Sequence, residues 1–104
     1  MMLTKEEIIN RLHQNYPQLA SEFGVKQIGI FGSYAKGTAG LNSDVDLVIE
    51  FEQPLGFRFV ELTEYLEALL GQQVDVLTPA GIQAIRLPHV AKSIQESVIY
   101  VPTN

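Results

Sequence analysis

The chain predicts a small α/β fold, with helices packed on a mixed sheet of about four strands. Three observations carry that expectation. Short apolar runs of strand length, Val25 to Phe31, Asp44 to about Phe51, Val74 to Leu77 and Val98 to Val101, alternate with segments of helical periodicity. Glycines stand where two of those helices should stop, at Gly24 and Gly71. And 104 residues suffice for one core but not a second, so residues 1–104 read as a single domain.

Taken in order, Thr4 and Glu7 fit a capping box, with Leu3 and Ile8 placed as a hydrophobic staple. Ile8, Ile9, Leu12 and Tyr16 recur on one face, predicting a helix from about Lys5 to Asn15, ahead of Pro17. Leu19 to Phe23 can add a further turn before Gly24. After the strand Val25 to Phe31, Gly32-Ser33 breaks the run and Tyr34-Ala35-Lys36 starts a short helix. Gly37, Gly40 and Asn42 make the stretch up to Ser43 a loop. In the strand from Asp44, alternation puts Asp44, Asp46, Val48 and Glu50 on one face, and Val45, Leu47, Ile49 and Phe51 on the other.

Pro54 and Gly56 punctuate the next turn. Phe59, Leu62, Leu66, Leu69 and Leu70 mark an amphipathic helix, with Glu61, Glu64 and Glu67 outside and Gly71 as its end. That apolar stripe reads as core rather than as a cofactor box. Thr78-Pro79 fits an N-cap followed by proline at the first helical position, predicting a short helix to about Arg86 that Pro88 interrupts. A last helix near His89 to Glu96 leads into the strand Val98 to Val101. The predicted order is α-β-α-β-α-β-α-α-β.

Composition excludes several function classes. Net charge is -5 with a pI near 4.8, and the seven Lys and Arg are scattered, so direct nucleic-acid binding is not expected. The absence of cysteine removes disulfides and thiolate metal sites. No apolar run approaches the ~20 residues of a membrane span, and no signal-peptide pattern opens the chain. A soluble cytoplasmic protein is expected.

The aspartates carry the chemistry. There are three, Asp44, Asp46 and Asp75, and each stands at the start of an apolar run or inside one, while nine glutamates supply surface charge. Two positions apart on one strand, Asp44 and Asp46 have Cα atoms roughly 6.6 Å apart and side chains on one face. Carboxylates so placed suit a hard, oxygen-preferring cation such as Mg²⁺. With Asp75 on a neighbouring strand, three carboxylates would repel one another, and a pair of divalent ions removes that penalty. Gly32-Ser33 supplies a second half. Glycine lets backbone approach a phosphate, the following helix start offers free N–H groups, and the Ser33 hydroxyl donates one bond more. A triphosphate is thereby accommodated, with its terminal phosphates on Gly32-Ser33 and its α-phosphate at the metals.

Each feature alone has a plainer explanation. Aspartate caps turns at strand ends, Gly-Ser ends strands, and Lys36, a further candidate for phosphate contact, is equally a solvated surface lysine. Only the joint spacing lifts them above that. An Asp-x-Asp pair of the haloacid-dehalogenase type closes an apolar strand, whereas this pair opens one. His13 and His89 are isolated, Arg58 and Arg86 lack a motif, and Tyr34 and Tyr100 read as packing residues.

Gly-Ser, ten residues, Asp-x-Asp and a third Asp on a later strand resemble the signature of the polymerase-β-like nucleotidyltransferases. The chain is most similar to their minimal form, the MNT proteins, which accompany HEPN-domain proteins as antitoxins in bacterial and archaeal toxin–antitoxin pairs. The resemblance runs from the first strand to Ile99-Tyr100-Val101, and is closest at Gly32 to Thr38, Ser43 to Leu47 and Val74 to Val76. It implies a polymerase-β palm-like domain in which Asp44 and Asp46 ligate two Mg²⁺ ions. Asp75 would ligate the catalytic one and prepare the acceptor hydroxyl, and Gly32 and Ser33 would hold the β- and γ-phosphates of ATP. It further implies transfer of AMP to a tyrosine of a HEPN ribonuclease toxin, with release of pyrophosphate, in a type VII-like system and a hetero-oligomeric complex. Almost nothing in the chain lies outside the catalytic core, so the acceptor should be shaped by the partner. Two other functions fit the same residues: a non-catalytic antitoxin that neutralises by binding, and a small-molecule nucleotidyltransferase.

Overall fold

The helix that opens the fold, α1, spans Lys5–Phe23 and begins with the full capping box. Glu7 N donates to Thr4 Oγ1 at 3.1 Å, and Thr4 N to Glu7 Oε1 at 2.9 Å. The helix does not stop at Asn15 as its sequence predicts; Pro17 lies inside it. A proline there removes one ladder bond and costs about 3 kcal/mol in an unsupported helix. Buried Leu19 and Phe23, on the same side as Ile8 and Leu12, offset that cost by continuing the apolar face past it. The computed structural model describes residues 3–40 and 43–103, so the expectation that Asn42 forms a turn lies outside the described residues.

The elements that follow are β1 (Val25–Phe31), α2 (Gly32–Lys36), β2 (Val45–Phe51), α3 (Arg58–Leu70), β3 (Val74–Leu77), α4 (Pro79–Gln83), α5 (Pro88–Ser97) and β4 (Ile99–Tyr100). The predicted order therefore holds. The sheet is mixed, in the order β3-β2-β1-β4. β1 runs antiparallel to both β2 and β4, while β3 lies parallel to β2, joined to it through α3 as a parallel pair requires.

Several boundaries shift. β2 starts at Val45, which leaves Asp44 just ahead of the strand. α2 starts at Gly32, so the Gly-Ser pair is its first turn rather than a break before it. α4 ends at Gln83 instead of near Arg86, and Pro88 opens α5 at its first position instead of interrupting a longer helix. Tyr100, expected to pack, lies on the short edge strand and is 56% exposed, with one ring edge over Gly29.

The two sheet faces differ, as the alternation along β2 predicts. Val45, Leu47 and Ile49, with Ile28 and Ile30 from β1, meet Ile8, Leu12 and Leu19 of α1 and Leu62, Leu66 and Leu70 of α3 in the main core. On the opposite face a smaller cluster of Phe31, Val48 and Ile82 is flanked by Ala91, Ile94 and Val98 of α5 and its C-cap. Asp46 projects from that second face, next to Val48 in the alternation. Leu66 is fully buried in the main core. Leu66→Ala should therefore cost about 2–5 kcal/mol of stability, read from the urea midpoint at unchanged m-value.

Candidate active site

The site grows from the end of β1. Phe31 is the register partner of Asp46, so β1 delivers its last residue beside that acid. The chain then turns at Gly32, whose φ of +73° lies in the left-handed region that disfavours a side chain. Space makes the same demand. A Cβ on Gly32 would collide with Oδ2 of Asp46 and stand 3.1 Å from its Cγ. The glycine is thus required twice over, once by the turn and once by the carboxylate that occupies the room a side chain would need.

α2 starts at that turn, and no side chain caps it; Phe31 at the N-cap position makes no capping bond. Among the described residues, no side chain accepts from its first backbone N–H groups. Ser33, half-buried, follows within the same turn. The helix is closed at once by Gly37 in the left-handed conformation, and Thr38 N donates to the Ser33 carbonyl at 2.9 Å. Lys36 lies exposed in the last turn of α2.

Across the sheet, Asp46 on β2 is the register partner of Asp75 on β3. Neighbouring strands lie about 4.8 Å apart, so the two acids stand side by side. Asp44 precedes Asp46 by two positions, and Val45 between them points into the core, its N–H donating to Gln73 O at 2.9 Å. Asp44 and Asp46 are half-buried and Asp75 is exposed. Burial pushes the Asp46 carboxyl above its ordinary range, and the nearby charges of Asp75 and then Asp44 push it further the same way.

The residues singled out from the sequence thus divide cleanly. Gly32, Ser33, Asp44, Asp46 and Asp75 gather at one end of one sheet face. Among the described residues no three acidic or histidine side chains already form a metal cage. The backbone brings the aspartates together, and side-chain rotation is left to complete a coordination shell. Half-buried carboxylates that repel one another are the donor set a hard divalent cation relieves, so these residues fit Mg²⁺. Arg58 and His13 are engaged elsewhere. Arg58 donates to Glu22 O at 2.7 Å and lies over the Phe23 ring, and His13 Nδ1 meets Pro102 O at 2.8 Å. One contact was not legible beforehand: the hydroxyl of buried Tyr34 donates to Gln72 Oε1. No periodicity or motif signals such a bond, since the ring alone accounts for a core position.

Comparison with known proteins agrees with this geometry. Residues 5–101 match the family described as nucleotidyltransferase domain. Protein adenylyltransferase MntA of Thermococcus cleftensis is 44% identical over 101 residues, spanning 96% of this chain and 98% of its own. A solved structure described as a candidate minimal nucleotidyltransferase is 28% identical with a TM-score of 0.71, over 93% of this chain and 95% of that one. The crystal structure of the toxin–antitoxin pair MntA-HepT shares the fold at 18% identity and a TM-score of 0.54, over 96% of this chain and 70% of that one.

Two predictions follow from the packing of Gly32 against Asp46. Gly32→Ala should lower stability by about 1–3 kcal/mol, from left-handed strain plus the collision, measured by denaturant unfolding. Asp46→Asn should act oppositely in metal-free protein. The raised carboxyl is neutral in folded and unfolded chains at low pH; its cost to folding grows as pH rises past the ordinary aspartate value and is complete once pH passes the raised folded-state value. The Asn variant should thus melt a few degrees higher at pH 7, and the gap should close below the ordinary aspartate range.

Proposed function

The chain belongs to the nucleotidyltransferase-domain family, and on that premise we propose that it is an antitoxin that moves AMP from ATP onto a tyrosine of a HEPN-domain ribonuclease toxin in the cytoplasm. One observation carries the reading. The Asp46 carboxylate fills the space above Gly32, with Asp75 in register beside it, so the Gly32-Ser33 turn and the acid set are contiguous. The relative from Thermococcus cleftensis is named for adenylyl transfer, and the name MntA also occurs paired with HepT in a toxin–antitoxin structure. Those names support the nucleotide and the class of partner. Among the described residues no helix is long and apolar enough to cross a membrane.

The roles follow from position. The free N–H groups at the start of α2, with the Ser33 hydroxyl, donate to the β- and γ-phosphates. Lys36, exposed one turn later, adds a positive charge toward the same polyphosphate. Asp44, Asp46 and Asp75 would hold two Mg²⁺ ions. When bound, the ions offset the repulsion among the carboxylates and stabilise the attacking and leaving oxygens of an in-line displacement. Asp75, the exposed acid on the edge strand, would orient the acceptor hydroxyl. The tyrosine oxygen bonds to the α-phosphorus, the bond to the bridging oxygen breaks, and pyrophosphate leaves as the hydroxyl proton is released.

The test uses α-labelled ATP, Mg²⁺ and the protein encoded by the adjacent gene, expected under this reading to be a HEPN protein. Label should appear on a tyrosine of that protein, and Asp44→Ala with Asp46→Ala should cut transfer by more than about 100-fold. Full neutralisation of the toxin by the double variant would show that binding, not transfer, silences it.

A further inference from the structure

Tyr34 is only 3% exposed, and its ring belongs to the main core. Its hydroxyl nevertheless reaches across to Gln72 and donates to Oε1. The bond joins the two segments that carry site residues. Tyr34 is two positions after Gly32 on α2, and Gln72 is three positions before Asp75, in the turn from α3 to β3.

β3 needs support there. It has four residues, lies at the sheet edge and pairs with β2 alone. Its approach is held at three points: Gln73 O accepts from Val45 N at 2.9 Å, Val74 N donates to Glu67 Oε2 at 3.2 Å, and Gln72 accepts from Tyr34. The first two tie β3 to its own neighbours, β2 and α3. The third ties it to the helix whose first turn is Gly32-Ser33.

We propose that Tyr34 is a positioning residue, whose bond to Gln72 fixes the Gly32-Ser33 turn against the strand that carries Asp75. The phosphate-binding end and the acceptor-facing end of the site are thereby held at one separation before any substrate arrives. This rests on the nucleotidyltransferase reading above. Its physical basis is that small displacements of a reacting group are costly, a 1 Å error being worth roughly 100-fold in rate. A phenylalanine fills the same core volume, so the hydroxyl can be removed without opening a cavity.

Tyr34→Phe is therefore the variant to test, in the chain assayed with its toxin, ATP and Mg²⁺. kcat should fall by roughly 10-fold. KM for ATP should stay within about twofold, because the turn and Asp44–Asp46 keep their own supports. Gln72→Ala should reproduce the loss, and the double variant should be no worse than either single one. Tyr16→Phe removes a different hydroxyl, which donates to Lys26 O at 2.8 Å, and should leave kcat unchanged. By amide hydrogen exchange, the bonds of Asp75 to Leu77 should open faster in Tyr34→Phe while those of β1 do not. A lowered melting point with unchanged kcat, or additive losses in the double variant, would overturn the proposal. If the wild-type chain transfers no AMP, the enzymatic reading fails, and the exchange result decides this one alone: unaltered β3 protection defeats it.

Discussion

Everything in the site depends on how closely the Gly32 backbone approaches the Asp46 carboxylate. Strand pairing sets it: Phe31 lies opposite Asp46, so the next residue has to turn away beside an acid that is already there. A side chain at that point would overlap the carboxylate, and a β-carbon would also resist the left-handed φ. With glycine, turn and acid share one space. The helix start and the carboxylates then cannot be placed independently. Moving either one would break the β1–β2 register that holds both, and would carry Asp75, in register with Asp46, along with them.

The division of the sheet explains how so small a fold tolerates this. Three like charges near one another, one of them held above its normal ionisation range, oppose folding at neutral pH. Stability comes from the other face, where α1 and α3 close over β1 and β2 in a continuous apolar cluster. The second face carries only a small cluster around Val48, under α4 and α5, and none of the residues of α5 is fully buried. The acids occupy the part of that face which the apolar cluster leaves free. The candidate site is thus confined to the face that contributes least to the core.

What could be read from the chain beforehand follows the same division. Alternation along β2 is a local property, so the split between Asp44, Asp46, Val48, Glu50 and Val45, Leu47, Ile49 was legible without coordinates. So were the capping box at Thr4 and the glycine stops at Gly24 and Gly71, because each is decided within one turn. Where distant residues decide, sequence reasoning failed. Pro17 signals a helix end, and only burial of Leu19 and Phe23 against the sheet overrides it. The spacing from Gly32 to Asp46 suggested one site, but not that the carboxylate stands in the glycine's empty side-chain position. The bond from Tyr34 to Gln72 spans 38 positions and leaves no periodic trace.

Burial also grades the three acids, and the grading supports a division of labour among them. Asp46 is flanked by β1 on one side and β3 on the other, with Gly32 beneath it, and it bears the combined push of burial and two like charges. A group so enclosed is suited to holding a cation and poorly suited to meeting an incoming protein. Asp75 sits on an edge strand in solvent, where a partner's side chain can reach it without displacing any part of this fold. The acidic chain draws a polyanionic nucleotide through no long-range positive field of its own, having seven basic residues against twelve acidic ones. Recognition under the proposed function then falls to short-range groups: uncapped N–H groups at α2, one hydroxyl and the cations the acids recruit. That places nucleotide capture at the inner end of the site and acceptor choice at its outer edge, where the partner supplies what this chain does not.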